Sequence, residues 1–220
     1  MSRFMNRWVL AVCIGGVIAL TMTESVFAQR GGRGFRWMFG ISKAELASLP
    51  EVQDELKLSD EQKTRITEIH DGLRDRRREM FGTGFGRFDE IWQRSDQLNR
   101  DASQTVDEVL DDSQRTRLQQ IAIQQNGPRS LHDPQVVAAL GLSDEQSKKL
   151  AQVRDENTQE FENAIRQFGR EWRQQAGDLA AKSDERLLAV LADEQRDQFE
   201  ALKGEPLEIQ RWRRGGRDRQ

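Results

Sequence analysis

The sequence predicts an all-α protein of elongated antiparallel helical hairpins, with one long-helix module written twice in tandem. The phrase Leu-Ser-Asp-Glu-Gln occurs at residues 58–62 and again at residues 142–146, which is 84 positions later (142 − 58). A degenerate form follows each copy, as Leu-Asp-Asp-Ser-Gln at 110–114 and Leu-Ala-Asp-Glu-Gln at 191–195. Between the phrases, apolar residues recur every three or four positions, which is the spacing of an amphipathic helix.

The composition agrees with long helices that each carry one narrow apolar stripe. Of the 220 residues, 36% are hydrophobic and 32% are charged, and the mean hydropathy is −0.79. So polar a chain is not expected to build a core of ordinary depth. The formal net charge of −3 comes from many residues of both signs, which does not favour nucleic acid as a partner.

Residues 1–28 have the pattern of a secretory signal peptide. Arg3 and Arg7 precede an apolar run over residues 8–22, and Val-Phe-Ala at 26–28 offers small residues for cleavage. A retained anchor is the alternative, but the run is shorter than the roughly 20 residues that a spanning helix needs. We therefore predict export to the periplasm or the extracellular space, without stable membrane insertion after cleavage. Cleavage also removes Cys13, the one cysteine, so no disulfide is expected.

Four segments follow the signal peptide. Residues 29–41 are rich in Gly and Arg and are predicted to be flexible. Helical module 1 is predicted over residues 42–127 and helical module 2 over residues 128–204. Residues 205–220 are basic and lack a sustained apolar stripe, so this tail is predicted to be disordered.

Each phrase predicts the start of a helix. The residues concerned are Leu58, Ser59 and Gln62; Leu110, Asp111 and Gln114; Leu142, Ser143 and Gln146; and Leu191 and Gln195. The Ser59 hydroxyl is placed to accept from the backbone N–H of Gln62, while the Gln62 side chain reaches back to the cap, which is a capping box. Ala192 stands at the fourth cap position and has no side-chain acceptor, so that helix is expected to run through rather than restart.

The two modules differ in the long helix that follows the first phrase. Residues 82–86 contain three glycines, and they predict either a loop or a kink within a continuous helix. Module 2 has no such glycine cluster. Its apolar stripe runs from Leu150 to Leu179, which predicts one continuous helix, and Ser183 is expected to restart the chain as a further helix.

The sequence contains no pattern that is typical of catalysis or of cofactor binding. His70 and His132 lie far apart, and no nucleophile–base motif, phosphate loop or metal-ligand spacing is present. We therefore predict a non-enzymatic protein with no catalytic residue, no cofactor and no metal site.

One basic run with apolar neighbours is a candidate protein-binding surface. Its members are Arg74, Arg76, Arg77, Arg78, Met80, Phe81 and Phe85. The alternative is a solvated helix end, where cations complement the C-terminal dipole.

The four phrases resemble the motif of the Spy/CpxP-like LTxxQ family of exported envelope-stress proteins. Ser59, Ser143 and Asp111 occupy the threonine position, and Ala192 departs from it. The resemblance implies helical hairpins in the bacterial cell envelope and a role as an ATP-independent chaperone or an accessory protein of stress signalling. It implies that the chain binds unfolded or partner proteins of the cell envelope, either as a homodimer or as an intramolecular pseudo-dimer.

Two alternatives to a chaperone or accessory role remain open. The first is a regulatory module that binds one membrane sensor or envelope complex. The second is a metal-responsive periplasmic sensor.

Overall fold

The computed structural model describes residues 40–82, 88–168 and 172–209, and within them every regular element is a helix. In chain order the elements are α1 (Lys43–Ala47), α2 (Pro50–Glu55), α3 (Asp60–Gly82), α4 (Phe88–Val109), α5 (Asp112–Asn126), a 3₁₀ helix (Gly127–His132), α6 (Pro134–Ala139), α7 (Asp144–Phe168), α8 (Trp172–Leu188) and α9 (Asp193–Ala201). The predicted all-α class is confirmed. The predicted signal peptide lies outside the described residues.

Helices α3 and α4 form the first hairpin. Gln62 near the start of α3 donates to the carbonyl of Val109 at the end of α4 (3.0 Å), and Arg77 near the end of α3 donates to Asn99 in α4 (2.5 Å). The start of α3 therefore contacts the end of α4, and a later residue of α3 contacts an earlier residue of α4. The two helices run antiparallel. A loop or a kink was predicted at residues 82–86; residue 82 belongs to α3, and residues 83–86 lie outside the described residues.

Helices α7 and α8 form the second hairpin, and here two predictions are wrong: the chain is not one continuous helix from Leu150 to Leu179, and Ser183 does not restart a helix. Asn157 in α7 donates to Ser183 in α8 (2.8 Å), and Gln146 donates to the carbonyl of Val190 (3.0 Å), so the chain reverses direction after α7. Ser183 lies buried inside α8 and does not start a helix. The spacing of apolar residues led to the wrong prediction because α7 and α8 turn similar apolar stripes towards each other. In the sequence, the same helical spacing continues through the reversal.

Two hydrophobic cores lie at the bases of the hairpins. The first contains buried residues of α1 to α5, among them Leu46, Ile66 and Val106. The second contains residues from Ile123 to Phe199. Helix α5 contributes Ala122 to the first core and Ile123 to the second, so a single helix connects the two cores.

The described start of the chain is more ordered than the sequence predicted. Residue 41 belongs to the stretch predicted to be flexible, yet Ile41 is buried in the first core. The side chain of Asn126 accepts from the Ile41 N–H (2.7 Å) and donates to its carbonyl (3.0 Å). This paired contact, made through side-chain atoms 85 positions away, holds the chain just before α1 in place.

The first residues of the predicted disordered tail are also packed, which corrects that prediction for residues 205–209. Gln124 of α5 accepts from the Leu207 N–H (3.0 Å) and donates to the Glu205 carbonyl (2.7 Å), and Ile209 is buried in the first core. Gly204 allows the approach, because a Cβ there would meet the side chain of Gln120 at 2.4 Å. The short apolar pair at 207 and 209 was too brief to register as a stripe.

Candidate functional site

The glutamines of the first two phrases bind each other across the base of the first hairpin. Gln62 accepts from the Ser59 N–H (3.0 Å) and donates to Gln114 (2.7 Å) as well as to the carbonyl of Val109 (3.0 Å). Gln114 in turn donates to the Leu56 carbonyl (3.2 Å). We call this pair the first glutamine clasp. It satisfies backbone carbonyls at helix ends, where intrahelical partners are missing.

The second glutamine clasp has the same contacts at the base of the second hairpin. Gln146 accepts from the Ser143 N–H (3.0 Å) and donates to Gln195 (2.6 Å) and to the carbonyl of Val190 (3.0 Å). Gln195 donates to the carbonyl of Leu140 (3.4 Å). The sequence predicted these glutamines only as partners of their own caps, because capping is local whereas the clasps join residues about fifty positions apart.

The predicted capping boxes are present at Ser59, Asp111 and Ser143. The Ser59 and Ser143 hydroxyls each accept from the backbone N–H three residues on (3.2 Å), and Asp111 does the same at 2.8 Å. The leucine that precedes each cap position packs in or against a core: Leu58, Leu110, Leu142 and Leu191. The phrases therefore form the structural bases of the hairpins.

The expectation that the helix runs through Ala192 is wrong. Ala192 has extended backbone geometry (φ −67°, ψ 161°), and α9 restarts at the next residue. The Gln195 side chain still accepts from the Ala192 N–H (3.0 Å), so half of a capping box is kept without a side-chain acceptor. The second glutamine clasp holds Gln195 in that position and favours the break.

The predicted arginine surface divides into outward and inward side chains. Arg74 pairs with Asp71 and Arg78 with Asp75, each one turn along α3, and the Arg78 side chain is 72% exposed. Arg77 is only 24% exposed, and its guanidinium donates to Glu45 of α1 (3.4 Å). Arg77 therefore binds α3 to its neighbours.

The remaining members of the predicted surface lie around the end of α3. Arg76 is exposed and borders a shallow groove between α3 and α4, while Met80 is half-buried. The side chain of Phe81 and the whole of Phe85 lie outside the described residues.

A polar cleft of about 430 Å³ lies between the two hairpins. One wall is α4, the facing wall belongs to α7 and α8, and the 3₁₀ helix and the start of α6 close one side. At its edge, Lys43 donates to Asp107 (2.9 Å) and to Gln135 (3.0 Å), which joins α1, α4 and α6. Sequence reasoning missed this cleft because its residues come from separate elements, none of which carries a motif.

His132 is the titratable group in the cleft with the largest displacement from its ordinary value. Its pKa is lowered to about 4, mainly by burial and also by the positive charges of Arg154 and Arg129, which Asp96 and Asp155 oppose. In α8, burial raises the pKa of the Asp184 carboxyl, and the positive charge of Arg129 opposes that shift. The 3₁₀ helix thus places a neutral imidazole near two arginines, Arg154 of α7 and Arg129 of the 3₁₀ helix itself.

The other histidine lies on α3, outside the cleft. Burial lowers the pKa of His70, and the nearby carboxylates of Asp71 and Glu45 oppose that shift. The nearest of these oxygens is 3.7 Å from Nδ1. Among the described residues, no group of three or more His, Cys, Asp or Glu side chains is placed to hold a metal ion.

Comparison with known proteins gives no match: no family model, no curated protein and no solved structure is similar to this chain. Within the described ranges, every helix is too short or too polar to cross a membrane.

Proposed function

We propose that this chain is an exported, non-enzymatic helical binding protein of the envelope-stress type, which holds a partner protein of the cell envelope. The observation that carries the proposal is the pair of glutamine clasps, since they form at the phrases that resemble the LTxxQ motif. The clasps fix the bases of both hairpins. The hairpin arms then present the surface that a partner contacts, as a pseudo-dimer within one chain.

Within this class, the packing favours an accessory or regulatory protein that binds one partner. The apolar stripes of the arms turn inward, since Ile66, Leu73, Val106 and Phe161 are all buried. A general chaperone needs apolar surface that unfolded clients can reach. Inward stripes leave charged helix faces, which suit recognition of one complementary surface.

The second candidate function is an ATP-independent chaperone, and the end of α3 favours it. Arg76 lies one turn before Met80, so both are on the same helix face. Exposed guanidinium groups beside a half-buried methionine make a mixed cationic and apolar surface, which is adaptable because the thioether side chain is flexible.

One pair of variants tests the proposed surface against a matched control. Arg74→Gln/Arg78→Gln removes two exposed cations, each paired within α3. Arg65→Gln/Arg166→Gln removes two similarly exposed cations that are also paired within their own helices. Because exposed pairs of this kind contribute less than about 1 kcal/mol, both double variants should keep the fold, which circular dichroism checks.

The readouts are affinity capture of a stoichiometric envelope partner and light scattering of a denatured client. We expect the Arg74/Arg78 variant to lose partner binding at least about tenfold while the control keeps it. Client protection at several-fold excess, lost in the same variant, would instead support the chaperone function. Absence of both activities in the unmodified chain would refute the binding proposal.

A further inference from the structure

Asn126 and Gly127 form the one Asn–Gly pair of the chain, and the structure places them where α5 ends. An asparagine followed by glycine is prone to deamidation, because no side chain hinders the glycine nitrogen when it attacks the asparagine side chain. The reaction joins the backbone nitrogen of Gly127 to Cγ of Asn126, and water completes it. The pair therefore holds the reacting groups of a covalent modification.

The side chain of Asn126 is held by the chain just before α1. Its Oδ1 accepts from the Ile41 N–H (2.7 Å), and its Nδ2 donates to the Ile41 carbonyl (3.0 Å). The approach is close, because a Cβ at Gly40 would meet Oδ1 at 3.0 Å, and Ile41 itself is buried in the first core. The Asn126 amide can therefore turn towards its own backbone only when Ile41 leaves.

The backbone of the pair is held by contacts at the end of a helix. Asn126 has helical geometry (φ −92°, ψ −20°), and the Gly127 N–H donates to the carbonyl of Ile123. Helix ends fray at little cost in free energy. Asn126 is only half-buried and lines the cleft between the hairpins, so water has access to it. The contact with Ile41 is therefore the step that controls the reaction.

We propose that Asn126 is a deamidation site, which the docked chain at Ile41 protects, and that the reaction releases this chain irreversibly. After Ile41 leaves, the Gly127 nitrogen loses its proton and bonds to Cγ. The Cγ–Nδ2 bond breaks, and Nδ2 departs with that proton as ammonia, which leaves a five-membered succinimide. Water then opens the ring at either carbonyl and gives aspartate or isoaspartate.

Neither product restores the contact with Ile41. Aspartate is ionised at neutral pH and has no donor, so an oxygen replaces the nitrogen that lay 3.0 Å from the Ile41 carbonyl. Isoaspartate lengthens the main chain by one carbon and displaces its carboxylate. A carbonyl left without its donor, beside a carboxylate, favours the released chain. This site goes beyond the proposed partner surface on α3, because it lies at the end of α5.

Peptide mass spectrometry of the purified chain, incubated in warm and mildly alkaline buffer, tests the protection. Ile41→Ala removes most of a buried side chain, so deamidation at residue 126 should become at least about fivefold faster than in the unmodified chain. Leu150→Ala is the matched control, since it truncates a buried aliphatic side chain of the second core and should change that rate less than about twofold. Asn163, exposed within α7, should react at the same rate in all three proteins.

Asn126→Asp tests the effect of the product. The variant should fold by circular dichroism, and hydrogen exchange at the Ile41 amide should become at least about fivefold faster. If Ile41→Ala fails to fold, Gly40→Ala replaces it, because a φ of +64° and the 3.0 Å approach to Oδ1 oppose a side chain there. The proposal is overturned if Asn126 deamidates no faster in the Ile41 variant than in the Leu150 variant. It is also overturned if Asn126→Asp protects the Ile41 amide as well as asparagine does.

Discussion

Replacing Gln62 by alanine should destabilise the fold more than its half-buried position suggests. The side chain accepts two hydrogen bonds, from the Ser59 N–H at 3.0 Å and from Gln114 at 3.2 Å, and donates two, at 2.7 and 3.0 Å. Each contributes about 0.5–1.5 kcal/mol net, and the exposed Ser59 N–H contributes least because water replaces its partner. We therefore expect a loss of about 2–3 kcal/mol in the free energy of unfolding.

Urea unfolding followed by circular dichroism at 222 nm measures this loss. With a slope of about 2 kcal/mol per molar, the midpoint should fall by about 1 M. Gln159→Ala is the matched control, since Gln159 is an exposed glutamine within α7 and its loss should cost less than about 0.5 kcal/mol.

A double variant shows whether the first glutamine clasp acts as a unit. Because Gln62 and Gln114 bind each other, Gln62→Ala/Gln114→Ala should cost about 1 kcal/mol less than the two single losses added together. If Gln62→Ala unfolds like Gln159→Ala, or if the losses in free energy of unfolding from Gln62→Ala and Gln114→Ala are additive, the two glutamines do not stabilise the first hairpin as a unit.

Three further changes have defined outcomes. Ala192→Ser adds the missing acceptor at an extended cap position and should raise the free energy of unfolding by about 1 kcal/mol, whereas the same change at the exposed helical residue Ala181 should give no gain. Asn126→Ala removes both contacts to Ile41, so hydrogen exchange at the Ile41 amide should become at least about tenfold faster, and unchanged protection would contradict the contact. The folded-state pKa of His132, about 4, lies below its unfolded value of 6.5. The contribution of this histidine to the free energy of unfolding is therefore fully present above pH 6.5 and is lost as the pH falls towards 4, by up to about 3 kcal/mol. His132→Gln should remove this part of the pH dependence, which urea unfolding at several pH values measures.

The helix starts were predictable because capping is encoded within four residues. Ser59 and Ser143 carry both the acceptor and the glutamine that a capping box needs, and the structure places both boxes as expected. The reversal after α7 was not recognised, because the apolar spacing continues through it. Gly169 was the available signal, since it is the one glycine between residues 142 and 176.

The candidate sites were predictable only in part, because side-chain direction depends on neighbouring elements. The basic run on α3 was visible in the sequence, but α1 and α4 decide that Arg77 turns inward. The polar cleft was invisible, since Ser130 and Arg154 belong to different elements and neither is part of a motif.

The sequence by itself determined the helical class and the places where the long helices begin, because helical periodicity and capping act over one or two turns. The tertiary structure alone decided that the repeated glutamines bind one another, that the chain before α1 and after α9 packs on the first core, and that a polar cleft separates the hairpins. These features depend on contacts between residues about fifty or more positions apart, and such contacts exist only once the helices have packed.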